Sequence, residues 1–115
     1  MPDAEVTPEK VVDAAAFLKA LANEHRLLVL CHLADGEKSV TQLEQLLQIR
    51  QPTLSQQLAR LRAERLVKTR RDAKHIYYSL DSDEARLIIQ LLYQLFCSDD
   101  AALLESLTPE IVVAE

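Results

Sequence analysis

The sequence predicts a mainly α-helical domain with one β-hairpin, in the order α-α-α-α-β-β-α(-α), which is the order of a winged helix-turn-helix. Three observations support this prediction. Leucine and alanine dominate a chain of 115 residues that contains a single glycine, and this composition favours helices. A capping-box sequence precedes a second helix that begins at a proline. Finally, β-branched and aromatic residues flank a polar turn within residues 67–80.

The first two helices precede the helix-turn-helix. Thr7 is a candidate N-cap and Pro8 fits a first turn, so the first helix is expected over residues 7–22. Asn23 can cap a second helix, which Gly36 is expected to end in a left-handed conformation. This second helix is apolar nearly all round, so we expect it to be central. The apolar stripe of the first helix comprises Val11, Ala14, Ala15, Leu18, Leu21 and Ala22.

Residues 39–64 form the predicted helix-turn-helix. Ser39 and Gln42 match a capping box, and Pro52 starts the second of the two helices. The leucines of that second helix recur at helical spacing, and hydroxyls, amides and arginines lie between them. An ordinary amphipathic surface helix would share these features. The preceding capped helix and the following basic hairpin favour a DNA-recognition helix instead.

The sequence period changes after this helix. Residues 67–80 read VKTRRDAKHIYYSL, and the polar stretch RRDAKH predicts the turn of a hairpin, the wing. Ser82 can cap a long last helix over residues 82–97. Residues 98–115 are expected to form a C-terminal extension, in which a further short helix could begin. Residues 1–115 are therefore expected to be a single winged-helix domain.

The charges are unevenly distributed. The whole chain has a formal charge of −5. Residues 50–75, however, hold eight basic and two acidic side chains, a local charge of +6. Only the face that docks on DNA has to neutralise phosphates. The sequence therefore predicts a basic DNA-binding face on an acidic body.

Eleven residues are candidate DNA contacts. Side chains of the recognition helix expected to enter the major groove are Thr53, Ser55, Gln56 and Gln57, and Gln51 is counted with them. Arginines expected to contact phosphates are Arg50, Arg60 and Arg62. Wing residues expected to reach the backbone or a minor groove are Arg70, Arg71 and Lys74.

These pieces resemble the ArsR/SmtB family of bacterial winged-helix repressors over residues 14–97. The segments LKALANEHRLLVLCHL, TLSQQLARLRAERLV and RRDAKHIYYSL carry the resemblance. It implies a homodimer, with helices 7–22 and 82–97 at the interface, that represses its own operon until an inducer weakens DNA binding. Family members often have His where Gln57 stands and Gly where Arg65 ends the recognition helix. Gln57 can still read a base edge, and Arg65 is expected to need a positive φ angle.

The expected partners and location follow from this resemblance and from the sequence. A two-fold dimer predicts an inverted-repeat operator in double-stranded DNA, with half-sites about one helical turn, ~34 Å, apart. No apolar run approaches the ~20 residues that span a membrane. The N-terminus also lacks a secretory signal. We therefore expect a cytoplasmic protein with no membrane partner.

Metal-sensing members of the family carry ligands that this chain lacks. Where one type has a cysteine motif before the recognition helix, this chain has Ser39 and Gln42. The positions that match the ligands on the last helix of another type hold Ser82, Glu84, Leu95 and Ser98. His25 and His32 share a helical face but have no evident third ligand. We expect no metal site and no cofactor, and a metal-responsive repressor is the alternative.

The two cysteines, Cys31 and Cys97, resemble the sulfide- or persulfide-responsive branch of the family (the BigR and SqrR type). In that branch a reactive sulfur species links the two cysteines by a disulfide or polysulfide bridge, and DNA is released. Cys97 lies on the polar stripe of its helix, so it is expected to be the accessible attacking thiol, and Cys31 the sheltered resolving thiol. Two unrelated core cysteines are the alternative.

Two other classes of function fit the sequence less well. A winged helix that acts only as a protein-interaction module would show no salt-dependent DNA affinity, whereas the +6 segment predicts a steep salt dependence. An enzyme would need a catalytic constellation. The sequence shows no Ser/His/Asp set, no paired carboxylate site and no glycine-rich phosphate loop. A DNA-binding repressor is therefore the favoured function.

Overall fold

The computed structural model describes residues 6–97, which fold as a winged helix with five helices and three strands. The elements in chain order are α1 (Pro8–Leu21), α2 (Glu24–Ala34), β1 (Lys38–Ser39), α3 (Val40–Leu47), α4 (Thr53–Ala63), β2 (Val67–Asp72), β3 (His75–Leu80) and α5 (Asp83–Phe96). The predicted fold class is confirmed, and the two-residue strand β1 is an addition to it. The short helix expected after residue 97 lies outside the described residues.

Side-chain caps start four of the helices where the sequence predicts them. Thr7, Asn23 and Ser82 each accept a hydrogen bond from a backbone N–H of the following first turn, at 3.0–3.2 Å. Ser39 and Gln42 form a complete capping box, with bonds of 3.1 and 2.8 Å. These bonds satisfy N–H groups that have no partner inside a helix.

Helix α2 is central, as expected, and packs against α3, α4, α5 and β3. The fully buried side chains at the middle of the core are Val29, Leu30, Leu33, Leu43, Leu54, Leu58 and Leu61. The helix is nevertheless buried on one face only, because Leu28 is 43% exposed and Cys31 is exposed. The other side of α2 is thus accessible.

The three strands form an antiparallel sheet in the order β1-β3-β2. Val67 pairs with Leu80 at the base of the hairpin and Asp72 with His75 at its tip, so Ala73 and Lys74 alone make the turn. The prediction that placed Arg70 and Arg71 in the turn is therefore wrong, since strand pairing extends through Asp72. Strand β1 joins the wing to the N-cap of α3 and fixes the wing relative to the helix-turn-helix.

Much of the predicted apolar stripe of α1 is exposed in a single chain. Only Ala20 and Leu21 of this helix are buried, whereas Val11 and Leu18 are each 54% exposed. Helix α5 also has an uncovered apolar side. Its exposed large apolar residues are Leu87, Leu91, Tyr93, Leu95 and Phe96.

The recognition helix α4 ends in a left-handed residue, as the sequence predicts. Arg65 has φ = 62°. Its N–H donates to the Arg62 carbonyl and the N–H of Leu66 donates to the Leu61 carbonyl, both at 3.0 Å. These are the two bonds of a Schellman motif. Leu61 and Leu66 are both buried, so the apolar contact typical of this motif is also available.

Arg65→Gly should therefore be more stable than Arg65→Ala. Both substitutions remove the same charge, but only glycine adopts a positive φ without a steric penalty, so we expect a difference in unfolding free energy of about 1 kcal/mol. Urea denaturation followed by circular dichroism measures this difference. Equal stabilities would show that the left-handed conformation carries no strain.

Candidate nucleic-acid interface and cysteine pair

Helix α4 has a buried side and a polar solvent side. Leu54, Leu58 and Leu61 anchor it in the core. The predicted contact residues that lie exposed on its outer side are Ser55, Gln56, Arg60 and Arg62. Thr53 and Gln57 are half-buried. The helix therefore presents hydroxyl, amide and guanidinium groups together to solvent.

The start of α4 is organised by Gln51. Pro52 occupies the N-cap position and offers no side-chain hydrogen bond. In its place, the Oε1 atom of Gln51 accepts hydrogen bonds from the N–H of Ser55, at 3.0 Å, and from the Ser55 hydroxyl. Gln51 and Ser55 thus form one exposed polar unit at the helix end. The sequence predicted both as DNA contacts but not their mutual bond.

A concave surface lies between α4 and the wing. Its lining includes Ser55 and Arg62 from α4, and Lys74 and His75 from the tip of the hairpin. The N-terminal residues of α3 close its floor. Candidate groove and wing contacts thus face the same space, as a winged helix on a duplex requires. Arg50 lies elsewhere, beside Gln48 at the end of α3.

The wing arginines differ in their surroundings. Arg70 donates two hydrogen bonds to the carboxylate of Glu37, both at 2.8 Å, and its guanidinium lies 4.4 Å from the centre of the Tyr77 ring. Arg71 and Lys74 are exposed, and neither forms an ion pair within the described residues. Arg70 is therefore held by partners within the protein, which the sequence did not indicate. Arg71 and Lys74 are the wing cations available to a phosphate.

Sequence reasoning missed Arg26, which is only 9% exposed. Its Nε donates to the Ala20 carbonyl at 2.7 Å, its Nη2 to the Lys19 carbonyl at 3.2 Å, and its Nη1 to Oε1 of Gln57 at 3.0 Å. Burial, and then the charge of Arg60, lower its pKa, but an arginine stays protonated in proteins. The spacing of Arg26 to Leu30 and Leu33 places it on the buried face of α2, and this was the available signal.

The two cysteines belong to helices that pack against each other, α2 and α5. Cys31 is on α2, and Cys97 is the C-cap of α5, where its N–H donates to the Tyr93 carbonyl at 2.8 Å. Partial burial raises the pKa of the Cys31 thiol, and the next causes are the charges of Cys97 and Asp35. The two thiols thus belong to adjoining helices.

The exposure of the thiols agrees with one prediction and corrects another. Cys97 is exposed, as its place on the polar stripe indicated. Cys31 is also exposed, so the expectation of a sheltered thiol is wrong. Cys31 opens into a cleft between the two helices, lined also by Asp35, Gln90 and Tyr93. Its side of α2 is left uncovered because α5 packs on the adjoining face.

The described part of the chain offers no evident metal site. Residues 6–97 contain no group of three or more His, Cys, Asp or Glu side chains arranged to hold a metal ion. His25 and His32 accordingly have no third ligand within this range. No helix in the same range combines the length and apolar character needed to cross a bilayer.

Comparison with known proteins identifies the family. The profile described as bacterial regulatory protein, arsR family, matches residues 23–69. A biofilm growth-associated repressor from Agrobacterium fabrum is 49% identical over 92 residues, which is 80% of this chain and 79% of that protein. This chain belongs to the ArsR family. The predicted resemblance is therefore confirmed, and relatives that are transcription regulators, not enzymes, support a non-enzymatic role at the level of the family.

Solved structures of other members of the ArsR family share the fold. Reduced HlyU from Vibrio cholerae superposes with a TM-score of 0.76 at 44% identity, covering 78% of this chain and 95% of that one. The transcriptional repressor BigR from Xylella fastidiosa gives 0.75 at 43% identity, covering 79% and 93%. The similarity thus extends over nearly the full length of these regulators.

The Glu37–Arg70 pair of this ArsR-family protein gives a pH prediction. Hydrogen bonds from Arg70 hold the pKa of Glu37 below its usual range. A lowered acid pKa means that the stabilising pair is present above the unfolded-state pKa and is lost as the pH falls through the folded-state pKa. Carbon-13 NMR should therefore show Glu37 titrating below ordinary glutamates. Arg70→Ala should return it to the usual range, whereas the neighbouring Arg71→Ala should not.

Proposed function

We propose that this ArsR-family protein is a homodimeric transcriptional repressor that releases its operator when a reactive sulfur species links Cys31 and Cys97. The observation that carries the proposal is a pair of exposed cysteines on two helices that pack together, Cys31 on α2 and Cys97 at the end of α5. Two relatives named as repressors, the biofilm growth-associated repressor of Agrobacterium fabrum and BigR of Xylella fastidiosa, support repression. Such a regulator acts in the cytoplasm, where bacterial DNA lies.

DNA binding is supported by the exposed polar side of α4 and the free cations of the wing. Hydroxyl and amide groups at the start of α4 suit base edges in the major groove. Arg62 and Lys74 flank the concave surface between α4 and the hairpin, where they can neutralise phosphates on both sides of the recognition helix. We expect Arg50 to contact the backbone outside this surface.

A homodimer is supported by the uncovered apolar sides of α1 and α5. Val11, Leu18 and Leu87 are each more than half exposed, and Phe96 is 79% exposed. Contiguous exposed apolar surface on a small domain marks an interaction site. A second copy of the chain would bury both helices, as the prediction for residues 7–22 and 82–97 requires. A two-fold symmetric dimer would then bind an inverted repeat in DNA.

The switch chemistry needs only thiols and a persulfide. The Cys97 thiolate attacks the outer sulfur of a low-molecular-weight persulfide, whose remainder leaves as a thiolate, so that Cys97 becomes a persulfide. The Cys31 thiolate then attacks the inner sulfur of that group and expels hydrosulfide, giving a disulfide. The two cysteines lose two electrons, and the transferred sulfur is reduced to sulfide. When both cysteines first receive a sulfur, expulsion of one sulfide leaves a trisulfide bridge.

The order of attack follows from the surroundings of the thiols. Thiolate, not thiol, is the nucleophile. Because the pKa of Cys31 is raised, a smaller fraction of this thiol is ionised near neutral pH than in an ordinary cysteine. Cys31 therefore suits the second, intramolecular step, in which proximity compensates for a low thiolate fraction. Cys97, exposed at the end of α5, takes the first step.

A bridge would change the preferred conformation of the dimer because it joins two helices that contact different parts of the protein. Helix α2 packs against the recognition helix α4, whereas α5 carries part of the expected dimer interface. Fixing α2 to α5 favours those conformations in which the bridge is unstrained. In these conformations, under the proposal, the two recognition helices no longer match successive major grooves.

The first test measures binding of labelled DNA from upstream of the protein's own gene. We expect tight binding by the reduced protein, release after treatment with glutathione persulfide, and recovery after a thiol reductant. Cys31→Ser and Cys97→Ser should bind DNA as the reduced wild type does and should not respond to the persulfide. Mass spectrometry of the treated protein should show the bridged peptides.

Several outcomes would contradict parts of this proposal. Persulfide release in either serine variant would exclude the bridge as the switch. Zinc-dependent release in a double serine variant would support a metal-responsive repressor. Failure of the reduced protein to bind any double-stranded DNA would favour a protein-interaction module. Equal bridging by peroxide and persulfide would leave the switch intact and remove its selectivity for sulfur species.

The wing arginines give a matched pair for salt dependence. The slope of log affinity against log salt concentration falls by about 1 for each phosphate contact that is lost. Arg71→Ala should reduce the slope by about this amount per chain, because Arg71 is free of ion pairs within residues 6–97. Arg70→Ala should leave the slope nearly unchanged, because its charge is already matched by Glu37. Equal slopes for the two variants would refute this distinction.

A further inference from the structure

We propose that Arg26 fixes the side-chain amide of Gln57, with one lone pair of its oxygen occupied, so that the recognition helix presents the amino group of Gln57 as its stronger hydrogen-bonding group at this position. Gln57 would then favour guanine over adenine. The inference rests on the proposed DNA-binding function and adds a specificity-determining contact to it. The observation behind it is the 3.0 Å bond from the guanidinium of Arg26 to Gln57.

The orientation of the amide follows from the chemistry of its partner. A guanidinium has five N–H donors and no acceptor. The amide atom that faces Nη1 of Arg26 must therefore be the oxygen of Gln57 and not its nitrogen. If the amide of Gln57 were rotated, its amino group would face the N–H groups of Arg26, and neither group could accept a hydrogen bond. The rotation would also leave a buried cationic donor without a partner, which is costly.

The guanidinium itself cannot turn away. Its other two donating nitrogens are held by the carbonyls of Ala20 and Lys19, at 2.7 and 3.2 Å. These carbonyls belong to the last turn of α1, where the Lys19 carbonyl also accepts from the N–H of Ala22 at 3.3 Å. Arg26 is 9% exposed, and its bond to the Ala20 carbonyl is buried. The amide of Gln57 is thus held by a fixed donor.

Fixing the amide changes which bases Gln57 can recognise in the major groove. The usual glutamine contact to adenine is bidentate: the side-chain oxygen accepts from N6 and the side-chain nitrogen donates to N7. Arg26 occupies one of the two lone pairs of Oε1 and draws electron density from the amide, which weakens Oε1 as an acceptor for a base and strengthens the amino group as a donor. Guanine offers two acceptors, N7 and O6, at its major-groove edge, and thymine offers one, O4; adenine pairs its N7 acceptor with an amino group, and cytosine presents only an amino group. The positive charge of Arg26 behind the amide further favours an acceptor.

The adjacent Gln56 provides a matched control. It is exposed on the same turn of α4, and its side chain makes no hydrogen bond within the described residues. Its amide can therefore rotate and present either atom to a base. Gln56 and Gln57 have the same side chain, so a difference in what they read reflects the bond to Arg26.

The test selects bound sequences from a randomised double-stranded DNA library with the reduced, full-length protein. It compares the wild type with Gln57→Ala, Gln57→Glu and Gln56→Ala. We expect Gln57→Ala to lose a guanine preference, on the order of tenfold over adenine, at one position of each half-site. Gln57→Glu keeps an oxygen for Arg26 and presents a second oxygen to the groove. Its preference should move to cytosine or adenine, which present a donor.

The outcomes separate this inference from the proposed function. An adenine preference lost in Gln57→Ala, or a base preference unchanged by it, would overturn the inference while DNA binding stands. A wild type that enriches no sequence would overturn both. Gln56→Ala should alter a different position. Thermal unfolding checks that each variant is folded, and Gln57→Glu, which retains a partner for Arg26, gives an informative result even if Gln57→Ala is unstable.

Discussion

One buried guanidinium connects the parts of this molecule that must act together. Arg26 lies on α2, donates to two carbonyls at the end of α1 and holds a side chain of α4. A buried cation without partners would cost several kcal/mol, so the three elements are kept in the one arrangement that supplies its acceptors. The recognition helix is thereby positioned relative to α1, whose apolar side is exposed.

Structural features that depend on a few neighbouring residues could be predicted from the sequence. The caps at Thr7, Asn23, Ser39 and Ser82 are local, because a side chain and a backbone group within three residues decide them. The left-handed Arg65 is local for the same reason. The order of helices and strands followed from these starts and ends and from the periods between them.

Features that depend on contacts between distant segments could not be predicted. Glu37 and Arg70 are 33 positions apart, and nothing in either segment indicates that β1 brings them together. The exposure of Cys31 depends on which face of α2 is covered by α5. A helix that is apolar nearly all round does not specify that face. The sequence therefore indicated candidate residues but not the pairings among them.

The pairings divide the basic side chains into two groups. Arg26 and Arg70 are held by carbonyl, amide or carboxylate oxygens, whereas Arg71 and Lys74 are exposed and free of ion pairs within residues 6–97. A cation with a fixed partner positions backbone or side chains, and a free one can exchange its counterions for phosphates. The local charge of +6 on residues 50–75 consequently overstates the unpaired positive charge, because it counts Arg70 but not its partner Glu37.

The proposed Cys31–Cys97 bridge and the proposed Arg26–Gln57 contact both involve α2. This helix carries Cys31 on its exposed side and Arg26 on its buried side. A bridge to Cys97 would constrain α2 from the α5 side, while Arg26 transmits the position of α2 to Gln57 and to the end of α1. Because close-packed interiors transmit strain, a bridge that displaces α2 would, under the proposal, also displace Arg26 and the amide of Gln57 that it holds.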